Sequence, residues 1–312
     1  MKNTSIFYLQ TNLTAAVEFF LLGFQGSHVL RIFLFLLFLL VFGATICGNL
    51  LIILLVSSCK NLHTPMYFFI SKLSISDILL TTNIVPKMFH ILLNNGGTIS
   101  FTGCITQLYF FSASEEFECF LLTVMSYDRY VAICNPLRYT SIMTRAYCVI
   151  LVLISLVLSF TVSIIVTTTL STLTFCGTII NHFVCDTVPL VELACSDTFI
   201  IHLEIYILSI PLVIAPTVII IDCYVNIIVN ILRIPSSTGR QKAFSTCSSH
   251  LTVVSIFYWT MFSVYVVPTK GQSSTMSKIL SLLYTVFTPL INPIIYSLRN
   301  KEIKKALQAT LK

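Results

Sequence analysis

The sequence predicts an all-α fold, a seven-transmembrane helix bundle with an extracellular N-terminus and a short cytoplasmic amphipathic helix. Three observations predict it. Only 18 basic and 12 acidic residues stand among 312, while 56% are hydrophobic; a soluble domain typically carries about a quarter charged residues. The apolar residues fall in blocks long enough to cross a bilayer, which takes about 20 helical residues. The basic residues concentrate in alternate loops. This composition excludes a soluble enzyme and a nucleic-acid-binding domain, and 24 Phe with 13 Tyr exclude a disordered regulator.

Taken in order, residues 1–29 form an N-terminal segment without the charged start, apolar run and cleavage site of a signal peptide. It holds two glycosylation sequons, at Asn3 and Asn12, which act only on the lumenal side. The bundle is expected over 30–298. Residues 32–56, 147–170, 243–269 and 279–298 are free of Lys, Arg, Asp and Glu and give four clear spans. Three more are interrupted by charge: 65–92 by Lys72, Asp77 and Lys87, 101–134 by Glu115, Glu116 and Glu118, and 198–232 by Glu204 and Asp222. Lys60, Arg138, Arg145, Arg233, Arg240, Lys242 and the lysines of the tail fall in alternate connections, whereas residues 171–198 carry three acids and no Lys or Arg. The positive-inside rule places the tail in the cytoplasm. With the N-terminus outside, the number of spans is odd, and seven fits. Residues 299–312 repeat Ile303, Leu307 and Leu311 among lysines, the pattern of a short helix lying on the inner leaflet. No Cys follows Asn300 to carry a palmitoyl anchor.

Four of the 11 cysteines, Cys104, Cys176, Cys185 and Cys195, lie at or beyond the outer face, where disulfides persist. Four cysteines allow three pairings, and spacing does not choose among them. The others read as small apolar packers, and no paired metal-binding spacing is present.

The intramembrane acids locate the centre of the bundle. Asp77 and the three glutamates of the third span could together cost roughly 10 kcal/mol if they faced lipid, so that span must be central. Steps of 100° place Phe111, Glu115, Glu118 and Leu122 on one face, with Glu116 beside Ser112 and Cys119 on the next. Two readings stand side by side: acids kept for structure by hydrogen bonding, and a polar site for a ligand or ion. On the sixth span Tyr258, Phe262 and Tyr265 share a face; such a stripe serves either as plain core or as the wall of a mostly apolar pocket with two phenols.

Two short motifs sit at telling places. Asp128-Arg129-Tyr130 ends the third span, where an acid can hold an adjacent Arg until a conformational change frees it. Asn292-Pro293-x-x-Tyr296 puts a proline inside the seventh span, so a neighbouring helix or water must satisfy the carbonyl that loses its donor. With these motifs, and with the strings Leu62–Phe69, Pro86–Met88, Met125–Cys134, Lys242–Leu251 and Pro289–Asn300 in order, the chain resembles the rhodopsin-like G-protein-coupled receptors. Within them it resembles the odorant receptors of the class II (tetrapod-type) branch, over about residues 12–305.

The resemblance implies the following. Cys104 and Cys185 join the third helix to the second outer loop, and Cys176 pairs with Cys195. Asn49 and Asp77 are polar anchors, and Asp77 with Glu118 frames a sodium-like site, sodium being the one cofactor implied. Arg129, Tyr224 and Tyr296 form a switch, with Asp128, Tyr130, Asn292 and Pro293 around it, that admits a heterotrimeric stimulatory G protein and raises cyclic AMP. A small, mostly apolar volatile odorant is expected among the third, fifth, sixth and seventh helices, at Phe111, Ser112, Glu115, Glu116, Ser209, Tyr258, Phe262, Tyr265 and Thr285. Localisation is the plasma membrane, in contact with lipid. Lys72, Cys223 and Trp259 depart from the family pattern, and Trp259 puts the pocket floor beside Tyr258 in doubt. A non-olfactory chemosensory receptor of the same family is the rival reading. A transporter would show internal repeats or paired broken helices, and an enzyme a nucleophile–base pair; neither pattern stands out.

Overall fold

Hydroxyl side chains start three of the long helices: Ser27, Ser100 and Thr144 each accept a hydrogen bond from the amide three residues on, and Pro65 fills the first position of a fourth. The computed structural model of the chain describes residues 18–265, 274–299 and 301–310. Seven long helices run through it: α1 (His28–Ser58), α2 (Pro65–Asn94), α3 (Phe101–Cys134), α4 (Arg145–Ser171), α5 (Phe199–Leu232), α6 (Ser237–Tyr265) and α7, which joins Ser274–Leu282, Leu283–Phe287 and Thr288–Arg299. A shorter α8 (Lys301–Thr310) follows. Among the described residues α1, α2, α4, α5 and most of α7 are long and apolar enough to cross a membrane. α3, with its three glutamates, is carried by its neighbours: it packs against α2, α4, α5 and α6. That is the central position its acids demand.

Outward faces are apolar, as a lipid-facing surface requires: Leu40, Leu54, Val157 and Val218 are well exposed. Inside, two apolar clusters fill opposite ends. One gathers Leu73, Leu121, Met125, Tyr224 and Tyr296 at the end where the basic loops lie; the other gathers Leu80, Phe111, Phe183 and Tyr284 at the disulfide end. A buried polar layer of Asn49, Asp77, Glu118 and Asn292 separates them.

One feature was not expected. Residues 18–21 form a strand, β1 (Glu18–Leu21), which pairs antiparallel with β2 (Gly97–Ser100) and parallel with β3 (Ile179–Ile180). Phe19 and Leu21 turn into the core, where alternation buries every second side chain. Gly96, at φ +123°, lets the chain turn into β2; a Cβ there would lie 2.5 Å from the Phe20 ring. The first helix also starts at His28, two residues before the expected boundary of the bundle.

Candidate functional site

The disulfide end is built as a cap. Cys104 at the start of α3 is bonded to Cys185, and Cys176 to Cys195. Gln107, one turn further along α3, accepts a hydrogen bond from the Cys185 amide at 3.1 Å. Lys278 of α7, buried, donates to the Gly23 carbonyl at 2.6 Å and to Asn181 at 2.7 Å, so α7 is tied to both the N-terminal segment and the second outer loop. In that loop Asp186 caps the short helix Thr187–Leu193, and burial pushes its carboxyl up to about 6. Burial, and then the Lys278 ammonium, hold the neighbouring His182 down to about 3.

Below the cap lie the residues expected to meet a ligand. Phe111 packs on Tyr284 of α7 with ring centroids 5.9 Å apart. Glu115 is buried one turn below, and Ser112 is half-buried. Glu116, about 100° further round the helix, has a carboxylate that accepts from Ser163 of α4 at 3.2 Å. Tyr258 of α6 meets Cys119 of α3, hydroxyl to sulfur, at 3.1 Å, and the same thiol donates to the Leu212 carbonyl of α5 at 3.1 Å. Thr285 is fully buried and donates to the Ser281 carbonyl at 2.8 Å. The side chains of Ser209, Phe262 and Tyr265, and the sequon residues Asn3 and Asn12, lie outside the described residues.

Tyr284 and Leu212 were not singled out from the sequence, and Cys119 was placed beside Ser112 and Glu116 without a role. Leu212 sits in a π turn (Ile210–Ile214) of α5, and Tyr284 with Thr285 in a second (Leu283–Phe287) of α7. Such turns widen a helix locally and often mark functional sites; here both border α3, the first at Cys119 and the second at Phe111. Trp259 does not form a pocket floor. One 100° step from Tyr258 turns its indole out of the bundle, and it is 73% exposed. Lys72 lays its ammonium over the Phe68 ring, 5.1 Å from the centroid, and Cys223 is simply buried.

In the polar layer Asn292 donates from one amide nitrogen to Asp77 and to Glu118, each at 3.2 Å. Asn49 donates to the Pro289 carbonyl at 3.1 Å. Pro289 is four residues before Pro293, which has no N–H to give it, so α1 supplies the donor that α7 lacks.

At the basic end Asp128 is fully buried and accepts from Arg129, Nε at 2.9 Å and Nη2 closer still, and from the Tyr139 hydroxyl at 2.8 Å. Tyr130 lies beside Tyr127, centroids 6.4 Å apart. Tyr224 of α5 shares a 2.5 Å hydrogen bond with His250 of α6. Tyr296 of α7 is buried, and its hydroxyl has no hydrogen-bond partner among the described residues. His250 and Tyr139 went unassigned in the sequence; the first lies inside the string Lys242–Leu251, whose role no pattern revealed. Asp128 thus holds Arg129, and at the same end the Tyr224–His250 hydrogen bond joins α5 to α6.

The fold with this arrangement is that of the rhodopsin-type seven-helix receptors. Squid rhodopsin superposes with a TM-score of 0.73 over 92% of this chain and 87% of its own, at 17% identity. The chain belongs to the olfactory receptor family: the family model "Olfactory receptor" matches residues 35–312. Human olfactory receptor 11L1 is 45% identical over 96% of this chain and 94% of its own. Human olfactory receptor 6B2 is 46% identical over 96% of each, and rat olfactory receptor 1500 is 45% identical over 95% of each. The protein is an odorant receptor of the plasma membrane with multiple spans, a receptor and not an enzyme.

Proposed function

We propose that a small, mostly apolar odorant binds between α3, α5, α6 and α7 at the level of Phe111, Ser112, Glu115 and Tyr258. Its binding shifts a two-state equilibrium towards a form that couples to a stimulatory G protein and raises cyclic AMP. One observation carries this reading: α3 runs unbroken from the stretch Phe111–Cys119, in contact with α5, α6 and α7, to the closed Asp128–Arg129 pair. A ligand that favours the open form tenfold supplies about 1.4 kcal/mol to that equilibrium. Ser209, Phe262, Tyr265 and Thr285 complete the proposed contact set. The gathering of basic loops at one end and disulfides at the other supports an extracellular N-terminus and a cytoplasmic α8.

A sodium ion suits the polar layer. Asp77 and Glu118 are both buried and share the Asn292 amide, which reaches both Asp77 oxygens and one of Glu118; the spare lone pairs of these carboxylates, with the Asn292 carbonyl oxygen, would hold a small cation. The test of coupling is a cyclic-AMP assay in transfected cells against a panel of chemically grouped volatiles. Arg129→Ala, at equal surface expression, is expected to abolish the response; a full response from that variant would overturn the role of the pair.

A further inference from the structure

A cleft of about 540 Å³ lies at the basic end of the bundle. It lies where the last turn of α1, the loop after it, the start of α2 and the start of α4 converge. Its floor is apolar, with Leu62, Phe68, Met143 and Cys148, and its rim carries His63 and Arg145. None of its ten lining residues is acidic. The ion pairs among the described residues are Arg129–Asp128 and Lys305–Glu302, so Arg145 has no carboxylate to neutralise it. Lys60, exposed in the same loop, adds a further positive charge. α2 begins here without a side-chain cap and without an acid in its first turn, which leaves the positive end of its dipole uncompensated. The wall from Leu62 to Phe68 belongs to the string that carried the family resemblance, and neither odorant binding nor the Arg129 switch uses it.

We infer that this cleft binds one anionic phospholipid of the surrounding bilayer, its phosphate between Arg145 and His63 and the upper part of an acyl chain along Leu62, Phe68 and Met143. Charge complementarity selects the headgroup, because a zwitterionic lipid would bring its own cation to a cationic rim. The floor selects a lipid over a free phosphate: Leu62, Phe68, Met143 and Cys148 offer an apolar surface that a phosphate alone would leave uncovered. A lipid held there would bridge the α1–α2 loop to the segment containing Tyr139, whose hydroxyl meets Asp128.

The test uses the full-length receptor in nanodiscs of phosphatidylcholine with a minor fraction of phosphatidylserine or phosphatidylinositol 4-phosphate, with retained lipid read by native mass spectrometry. Wild type is expected to retain one anionic lipid above the phosphatidylcholine background. Arg145→Gln and His63→Gln together should weaken retention by about fivefold or more, given about 1 kcal/mol for the Arg145 charge near a membrane surface. Lys304→Gln with Lys305→Gln, on exposed α8, should leave it unchanged. Cys148→Phe fills the floor while keeping the rim, and should also expel the lipid. Unchanged retention in the rim variant, or equal loss in the α8 variant, overturns the site. Soluble inositol phosphate displacing the lipid at equal concentration would overturn the acyl-chain contact and leave a phosphate site instead. Because the readout needs neither odorant nor G protein, its failure is separable from failure of the receptor reading.

Discussion

Glu115 and Glu116 are one peptide apart and meet different neighbours, because a helix turns about 100° per residue. Glu116 is engaged by Ser163 of α4, whereas Glu115 is buried on the side of α3 nearer Phe111. Glu115→Gln should therefore reorder the preference among alcohols, aldehydes and amines, while Glu116→Gln should change potency less than about threefold and keep the order. Dose–response curves on one odorant panel decide it, and a reordering confined to Glu116→Gln would refute the assignment. A second residue-scale prediction concerns the outer loop. Asp186 keeps its proton more tightly when folded, so its contribution to stability falls as pH rises from 3.8 towards about 6. His182 takes up a proton more readily when unfolded, so its contribution rises between about 3 and 6.5. The two slopes oppose each other. Relative to wild type, Asp186→Asn should make the unfolding temperature climb more steeply from pH 4.5 to 6.5, and His182→Asn should make it fall; parallel profiles for all three proteins would show that neither group titrates as stated. The acids of α3 were legible as candidates in the sequence, but their partners were not, since a helical wheel gives angles between side chains and not the rotation of α3 against α4.

At the scale of elements, the seventh helix shows how a defect read from sequence is repaired by packing. Pro293 deprives the Pro289 carbonyl of its donor, and Asn49 of α1 provides one at 3.1 Å. Close approach makes this possible: a Cβ at Gly48 would stand 3.2 Å from the Pro293 ring. Asn49→Ala leaves that buried carbonyl unpaired, at a cost of about 1–3 kcal/mol, and thermal unfolding of the purified receptor should shift down by about 2–4 °C per kcal/mol. Leu40→Ala, on the exposed face of the same helix, serves as the neutral control; an equal shift in both variants would mean that Asn49 acts only as bulk. The sequence declared the missing donor but not its supplier, because the two residues are 240 positions apart in the chain. The π turn Leu283–Phe287 was likewise hidden, for nothing in its composition distinguishes it from regular helix, whereas Ile210–Ile214 contains Pro211, whose missing N–H marks an irregularity.

Across the whole molecule, the cap is held by crosslinks of unequal reach. Cys104–Cys185 closes 81 residues and Cys176–Cys195 closes 19; on the chain-entropy model they contribute about 4.5 and about 3 kcal/mol. Replacing both cysteines of the longer link by Ser should lower the unfolding temperature and surface expression more than the same change in the shorter one. The reverse order would place the stabilisation in local loop geometry instead. The seven-helix architecture was legible because lipid demands long apolar helices and tolerates little else, and Asp77 and the three glutamates of α3 were legible because charge is costly there. The β1–β2–β3 sheet was not, since strands of two to four residues carry too little periodicity to stand out from loop. The sequence by itself determined the membrane class, the helix count, the central place of α3 and the family. Only the tertiary structure decided that Glu116 faces α4, that Trp259 faces outward, that His250 latches Tyr224 and that Asn49 repairs α7. The reason is physical: bilayer crossing is a local property of about 20 residues, whereas a partner across helices depends on rotation and register that the whole bundle sets together.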